Sequence, residues 1–116
     1  MNITDFSLKL NQFPIEKAKL HLKRIQQIDA TDYHEYIEAQ KSKIVTYHLQ
    51  HNKFYKELYP SKDFDWSDLP VLTKKVLQRP LKERLSEGYS LKDVYVNKTS
   101  GSTGDPFYFA KDKFCH

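Results

Sequence analysis

The chain has 116 residues, enough for one modest domain but not for two. Its hydrophobic share of 39% and charged share of 29% are typical of a folded protein and exclude a wholly disordered chain. The net charge of +4 is spread thinly along the sequence. Because nucleic-acid-binding proteins concentrate basic residues on one face or in one run, we expect no nucleic-acid partner.

The amino terminus and the single cysteine bear on location. Residues 1–6 lack the basic start and apolar run of a signal peptide. No stretch approaches the roughly 18 consecutive apolar residues of a transmembrane helix. Cys115 has no second cysteine to pair with, which fits a reducing compartment. We therefore expect a cytoplasmic protein without a membrane span, and the sequence leaves its oligomeric state open.

Apolar periodicity predicts a first helix near the start of the chain. Pro14 suits the first turn of this helix, which is expected to continue to about residue 28. Its apolar stripe recurs at spacings of three and four residues: Ile15, Ala18, Leu22 and Ile25.

A longer second helix is predicted to follow. Asp32 and Glu35 have the spacing of a capping box that would open it. It is expected to run to residue 59, because the residue before Pro60 avoids helical geometry. Its apolar face is predicted to carry aromatic side chains into the core, namely Tyr33, Tyr47 and Phe54.

The middle of the chain predicts a loop followed by short helical turns. Residues 61–70 are irregular and acidic, with Trp66 as an apolar anchor. Thr73 can cap a short helical turn, and Pro80 can open another that ends near Gly88.

Strand-like composition appears only towards the end of the chain. The runs Val94–Thr99 and Phe107–Ala110 predict a β-hairpin over about residues 94–110. The expected class is therefore α+β, with a helical layer (about residues 14–59 and 73–87) followed by this hairpin.

The connection between the two strands is rich in hydroxyl groups and glycine. Such a loop can hold a phosphate chain, because glycine allows close backbone approach and hydroxyls rotate towards phosphate oxygens. It is neither a Walker A motif nor a dinucleotide fingerprint. The same residue types also favour a plain β-turn, and the short motif alone leaves both readings open. The candidate phosphate-binding residues are Thr99, Ser100, Gly101, Ser102, Thr103 and Gly104.

The longer string, residues 99–106, resembles the ATP phosphate-binding loop of the adenylate-forming enzymes. The flanking segments 51–55, 66–74 and 109–114 look like the phenylacetate–CoA ligase family, closest to its CapK-type members of capsular polysaccharide biosynthesis. Many members of the wider superfamily place a basic residue directly after the loop proline. Phe107 stands there in this chain, as is common in the phenylacetate–CoA ligase branch.

The resemblance implies an acid–thiol ligase that uses ATP and Mg²⁺ to activate a carboxylate as its adenylate. Coenzyme A is one candidate for the acceptor thiol. The family's catalytic lysine, acidic metal ligand and ribose-binding aspartate lie far downstream of the loop, so no catalytic or metal-binding residue is assigned here. We expect residues 1–116 to be the truncated N-terminal part of the large ATP-binding domain, without a complete second domain and inactive alone.

The alternative is an intact small helical interaction module whose Ser/Thr/Gly loop is only a β-turn.

Two weaker sequence patterns do not predict a further functional site. His48 and His51 share a helix face but lack a third metal ligand nearby in sequence. Cys115 and His116 are adjacent, and adjacent side chains rarely face each other. We interpret these residues as ordinary packing or surface groups.

Overall fold

The computed structural model of the protein describes residues 2–101 and 104–115. Over these residues it is an α+β structure with five helices and one two-stranded antiparallel sheet, as the sequence predicts at this level. In chain order the elements are α1 (Ile3–Leu10), α2 (Ile15–Gln26), α3 (Ala30–His51), α4 (Lys53–Leu58), α5 (Leu81–Arg84), β1 (Val94–Lys98) and β2 (Tyr108–Asp112).

The first two helices pair through charged side chains. Lys19 binds the carboxylate of Asp5 at 2.5 Å, and Lys9 binds Glu16 at 2.9 Å. Helix α2 was predicted from the sequence, whereas α1 was not. Its start carries a readable signal, because the side-chain oxygen of Asn2 accepts a hydrogen bond from the Asp5 amide at 2.7 Å.

Helix α3 begins earlier than predicted. Its N-cap residue is Asp29, and Asp32 lies inside the first turn, so the predicted capping box of Asp32 with Glu35 is wrong. Alanine at position 30 is a strong helix former, and Asp32 remains favourable near the positive end of the helix dipole. Among the described residues, no helix is both long and apolar enough to cross a membrane.

The predicted continuation of this helix to residue 59 is also wrong, because the chain breaks at Asn52. The backbone there is extended (φ −121°, ψ 105°) and separates α3 from α4. The Asn52 side-chain oxygen caps α4 by accepting from the Tyr55 amide at 2.9 Å. Its amide group donates to the Arg84 carbonyl at 2.9 Å and to Ser86 Oγ at 3.1 Å. A continuous helix would forfeit these bonds.

The core lies around this break. Among the residues that the structure describes, three apolar side chains are buried, Val45, Leu49 and Phe54, and Asn52 is buried with them at 4% exposure. The predicted core position of Phe54 is therefore confirmed. Tyr33 is 46% exposed, so its predicted core position is wrong. It lies more than three helical turns before Val45, the first buried residue of α3, and it stacks on Tyr36 instead.

The segment between α4 and the hairpin is mostly irregular. One 3₁₀ turn covers Trp66–Asp68, and a second covers Val76–Gln78. The N-cap residue of the second turn is Lys75 rather than the predicted Thr73, although Thr73 Oγ1 accepts a hydrogen bond from the Val76 amide at 3.4 Å. Helix α5 ends at Arg84, four residues before Gly88, so the predicted helix to residue 87 is too long. Gly88 takes its left-handed conformation (φ +83°) in a separate turn.

The predicted hairpin is confirmed, with β2 extending two residues beyond Ala110. The register pairs Val96 with Ala110 and Lys98 with Tyr108. Because only two strands are present in the described residues, each has an unpaired outer edge. The hairpin therefore relies on contacts with the helices for its stability.

We predict that residues 1–116 alone are only marginally stable and prone to aggregate. In the part of the chain that the structure describes, few apolar side chains are buried and both outer edges of the sheet are unpaired. The measurement is thermal unfolding of the isolated chain, followed by circular dichroism. A cooperative transition at high temperature from a monomer would contradict this prediction.

We also predict that Asn52→Ala lowers the free energy of unfolding by about 2–3 kcal/mol, because a helix cap and two bonds to residues 84–86 are lost together. Urea unfolding of both proteins measures the difference. The matched control is Asn11→Ala, since Asn11 is exposed and donates only to a local carbonyl. Equal small effects of the two substitutions would contradict the prediction.

Candidate phosphate-binding loop

Two hydrogen bonds between Thr99 and Phe107 close the loop at its base. The Thr99 amide donates to the Phe107 carbonyl at 2.9 Å, and the Phe107 amide donates to Thr99 Oγ1 at 2.9 Å. Both the amide and the hydroxyl oxygen of Thr99 are thus engaged in fixing the hairpin. Thr99 was predicted as a phosphate ligand, and in the structure it closes the base of the loop.

Glycine is required by the geometry inside the loop. Gly101 has φ +68° and Gly104 has φ +133°, both outside the range that other residues readily adopt. The Gly104 amide donates to the Gly101 carbonyl at 3.1 Å. A Cβ atom on Gly101 would lie 2.9 Å from the Gly104 carbonyl oxygen, so the backbone turns back on itself with no room for a side chain.

Two backbone amides on the first half of the loop stay open. Within residues 2–101 and 104–115, the amides of Ser100 and Gly101 have no hydrogen-bond partner. Ser100 is exposed, so its hydroxyl is also accessible. Ser102 and Thr103, the other two predicted hydroxyl ligands, lie outside the described residues. The described part of the loop therefore offers adjacent N–H donors and one hydroxyl to a ligand.

Arg84 holds the root of the loop against the helices. Its Nη2 donates to the Tyr108 carbonyl at 2.6 Å, and its Nε donates to the Arg79 carbonyl at 2.9 Å. The guanidinium lies 5.3 Å from the centre of the Phe107 ring. Partial burial lowers the pKa of Arg84, because the charged form loses hydration. Since Arg remains charged at any physiological pH, a positive charge lies directly beside the loop.

A groove of about 600 Å³ runs along this root. Arg84 lines it together with the chain that leaves the loop, Asp105 to Tyr108. The rest of the lining is largely apolar and includes Leu81 and Leu91. Asp105 is exposed, and in the described part of the chain it forms no ion pair with Lys98 or Lys111.

The weaker candidates lie outside the loop, and the two histidines among them already contact other groups. The His48 ring bonds the Ile44 carbonyl at 2.8 Å, and His51 lies 3.8 Å from Glu87. Cys115 is exposed. Over residues 2–101 and 104–115, no group of three or more His, Cys, Asp or Glu side chains is placed to hold a metal ion.

Sequence reasoning missed Arg84 as part of this region. It lies 24 residues before its partner Tyr108, and no local motif marks it. The phenylalanine at position 107 was the available signal, since an aromatic ring after the loop offers a surface on which a guanidinium can stack.

Comparison of the chain with protein-family models, with curated protein sequences and with solved structures yields no match.

We predict that Gly101→Ala reorganises the loop, whereas Gly88→Ala affects only local stability. Both positions have positive φ, so each substitution costs roughly 1–2 kcal/mol of backbone strain. Only at Gly101 does the new Cβ also collide with a backbone oxygen, while nothing lies within 4 Å at Gly88. Amide hydrogen exchange and the chemical shift of Gly104 report the difference. An unchanged Gly104 amide in Gly101→Ala would show that the loop geometry is incorrect.

Proposed function

We propose that this chain supplies the triphosphate-binding loop of an adenylate-forming enzyme of the phenylacetate–CoA ligase-like, CapK-type group. The observation that carries the proposal is the loop itself, in which Gly101 folds the backbone back and the Ser100 and Gly101 amides have no hydrogen-bond partner among the described residues. Adjacent amides of this kind form an anion-binding concavity. The partly buried cation Arg84 beside the loop favours the same ligand charge.

The residues present fit a polyphosphate better than a neutral ligand. Two amides and one hydroxyl lie on consecutive residues, and each hydrogen bond to an anion contributes about 1.5–3 kcal/mol. The bonds between Thr99 and Phe107 fix the base of the loop before any ligand arrives, so ordering this base costs no further entropy on binding. The resemblance of residues 99–106 to the adenylation loop names ATP as the ligand.

In this proposal the chain's contribution is positioning and charge stabilisation rather than bond chemistry. ATP supplies the α-phosphate that a carboxylate attacks, and pyrophosphate leaves. The loop residues hold the β- and γ-phosphates, the leaving group, in one orientation and balance their charge. Other parts of the enzyme would bind Mg²⁺, the carboxylate and the acceptor thiol. Coenzyme A is one candidate for this thiol. The proposed compartment is the cytoplasm.

The rival reading treats the loop as a plain β-turn of a helical interaction module. The bond from the Gly104 amide to the Gly101 carbonyl has the three-residue spacing of such a turn. A turn of this kind needs no ligand, so the two readings differ in a measurable way. Only the phosphate-loop reading predicts that the glycine amides respond to a polyphosphate.

We predict that the double variant Ser102→Ala/Thr103→Ala binds ATP and inorganic tripolyphosphate roughly tenfold more weakly than the unaltered chain, because one or two hydrogen bonds to the anion are lost. Calorimetric titration of the 116-residue chain measures both affinities. The matched control is Thr31→Ala/Ser42→Ala, which removes the same two hydroxyl types from exposed positions of α3.

The control should bind as the unaltered chain does. In the unaltered chain, the ¹⁵N–¹H resonances of Gly101 and Gly104 should shift on titration with tripolyphosphate. Static glycine resonances, or equal affinities of the two double variants, would overturn the phosphate-loop assignment and favour the plain turn.

A further inference from the structure

Arg84 is a partly buried cation that no carboxylate neutralises among the described residues. Its two recorded hydrogen bonds go to backbone carbonyls, of Arg79 and Tyr108. A guanidinium has five N–H donors, so several remain available after these two bonds. Removing a charge from water without an opposite charge is unfavourable, and burial lowers the pKa of this group accordingly. This environment suits an anion.

Arg79, which lines the same groove, shows the opposite arrangement. Its guanidinium binds Glu57 at 2.9 Å and Glu83 at 3.3 Å. These carboxylates neutralise its charge, and the bond to Glu57 raises its pKa. Two arginines thus share one groove, and among the described residues only Arg79 has acidic partners.

We propose that Arg84 is the cationic contact of the phosphate site, binding the anion that the loop amides hold. This inference rests on the proposed function and adds to it a ligand-binding residue that lies outside the loop. It is supported by the groove that Arg84 shares with residues 105–108 and by the stacking of its guanidinium on Phe107. The bonds to the two backbone carbonyls hold the guanidinium in place, so its charge is ordered before the ligand binds.

The position of Arg84 also links the site to the helices. The Arg84 carbonyl accepts from the buried side chain of Asn52, while its guanidinium reaches the Tyr108 carbonyl. One residue therefore connects the core to the strand that leaves the loop. A ligand at Arg84 would stabilise this connection, and binding should raise the thermal midpoint of the chain.

The test compares Arg84→Gln with Arg79→Gln in the 116-residue chain, with inorganic tripolyphosphate as the probe. Arg84→Gln should lose roughly tenfold in affinity, and its binding should depend less on salt, because one charge contact is gone. Arg79→Gln should stay within about twofold of the unaltered chain, since its charge is already paired. Arg84→Lys should recover part of the loss, because the charge remains while the fork of donors does not.

A measurement on the unaltered chain covers the case in which Arg84→Gln fails to fold. The side-chain Nε–H resonance of Arg84 should shift during the titration, together with the Gly101 and Gly104 amides, while that of Arg79 should not. Glycine shifts without an Arg84 shift, or equal losses in the two glutamine variants, would overturn the role of Arg84 and leave the proposed function standing. Glycine amides that do not respond at all would overturn the proposed function and this inference with it.

Discussion

The buried side chain of Asn52 joins three parts of the chain at one point. Its oxygen caps α4, and its amide group donates to the Arg84 carbonyl and to Ser86 Oγ. The neighbouring backbone adds a 2.7 Å bond from the Glu87 amide to the His51 carbonyl. Burying an asparagine side chain without hydrogen-bond partners would lower the stability of the fold, so the burial of Asn52 depends on these partners. Asn52 therefore stabilises the break between α3 and α4 and also holds residues 84–86 against this break.

The hairpin is attached to this point through Arg84. The route runs from the Asn52 amide to the Arg84 backbone, and from the Arg84 guanidinium to Tyr108 and Phe107 at the base of the loop. Since a two-stranded hairpin is marginally stable in water by itself, this attachment stabilises the hairpin that carries the loop. The loop's proposed ability to bind phosphate thus depends on contacts far from it in sequence.

The elements that could be predicted from sequence are those with local causes. The hairpin follows from β-branched and aromatic residues on both sides of a glycine-rich turn, and α2 follows from its regular apolar stripe. Helix α1 has a local cap at Asn2 that could have been recognised. The break at Asn52 could not, because the donors and acceptors that stabilise it come from residues 84 and 86.

In the candidate site, too, the residues that were predicted belong to a local motif, and the residue that was not predicted is distant in sequence. Gly101 and Gly104 were predicted as phosphate-binding residues from the composition of the loop, and this role stays a prediction. Their positive φ angles show why the backbone needs glycine at these two positions. Thr99 was predicted as a phosphate ligand, whereas the structure also engages it in closing the loop. Arg84 was not predicted, since its place beside Phe107 results from the packing of α5 against β2.

We propose that the loop and Arg84 together form one site for a polyphosphate. A crystal structure of the chain with tripolyphosphate bound tests it most directly. We expect phosphate oxygens within hydrogen-bonding distance of the Ser100 and Gly101 amides and of the Arg84 guanidinium. Tripolyphosphate bound away from the loop, or a loop that closes over its own open amides without ligand, would contradict it.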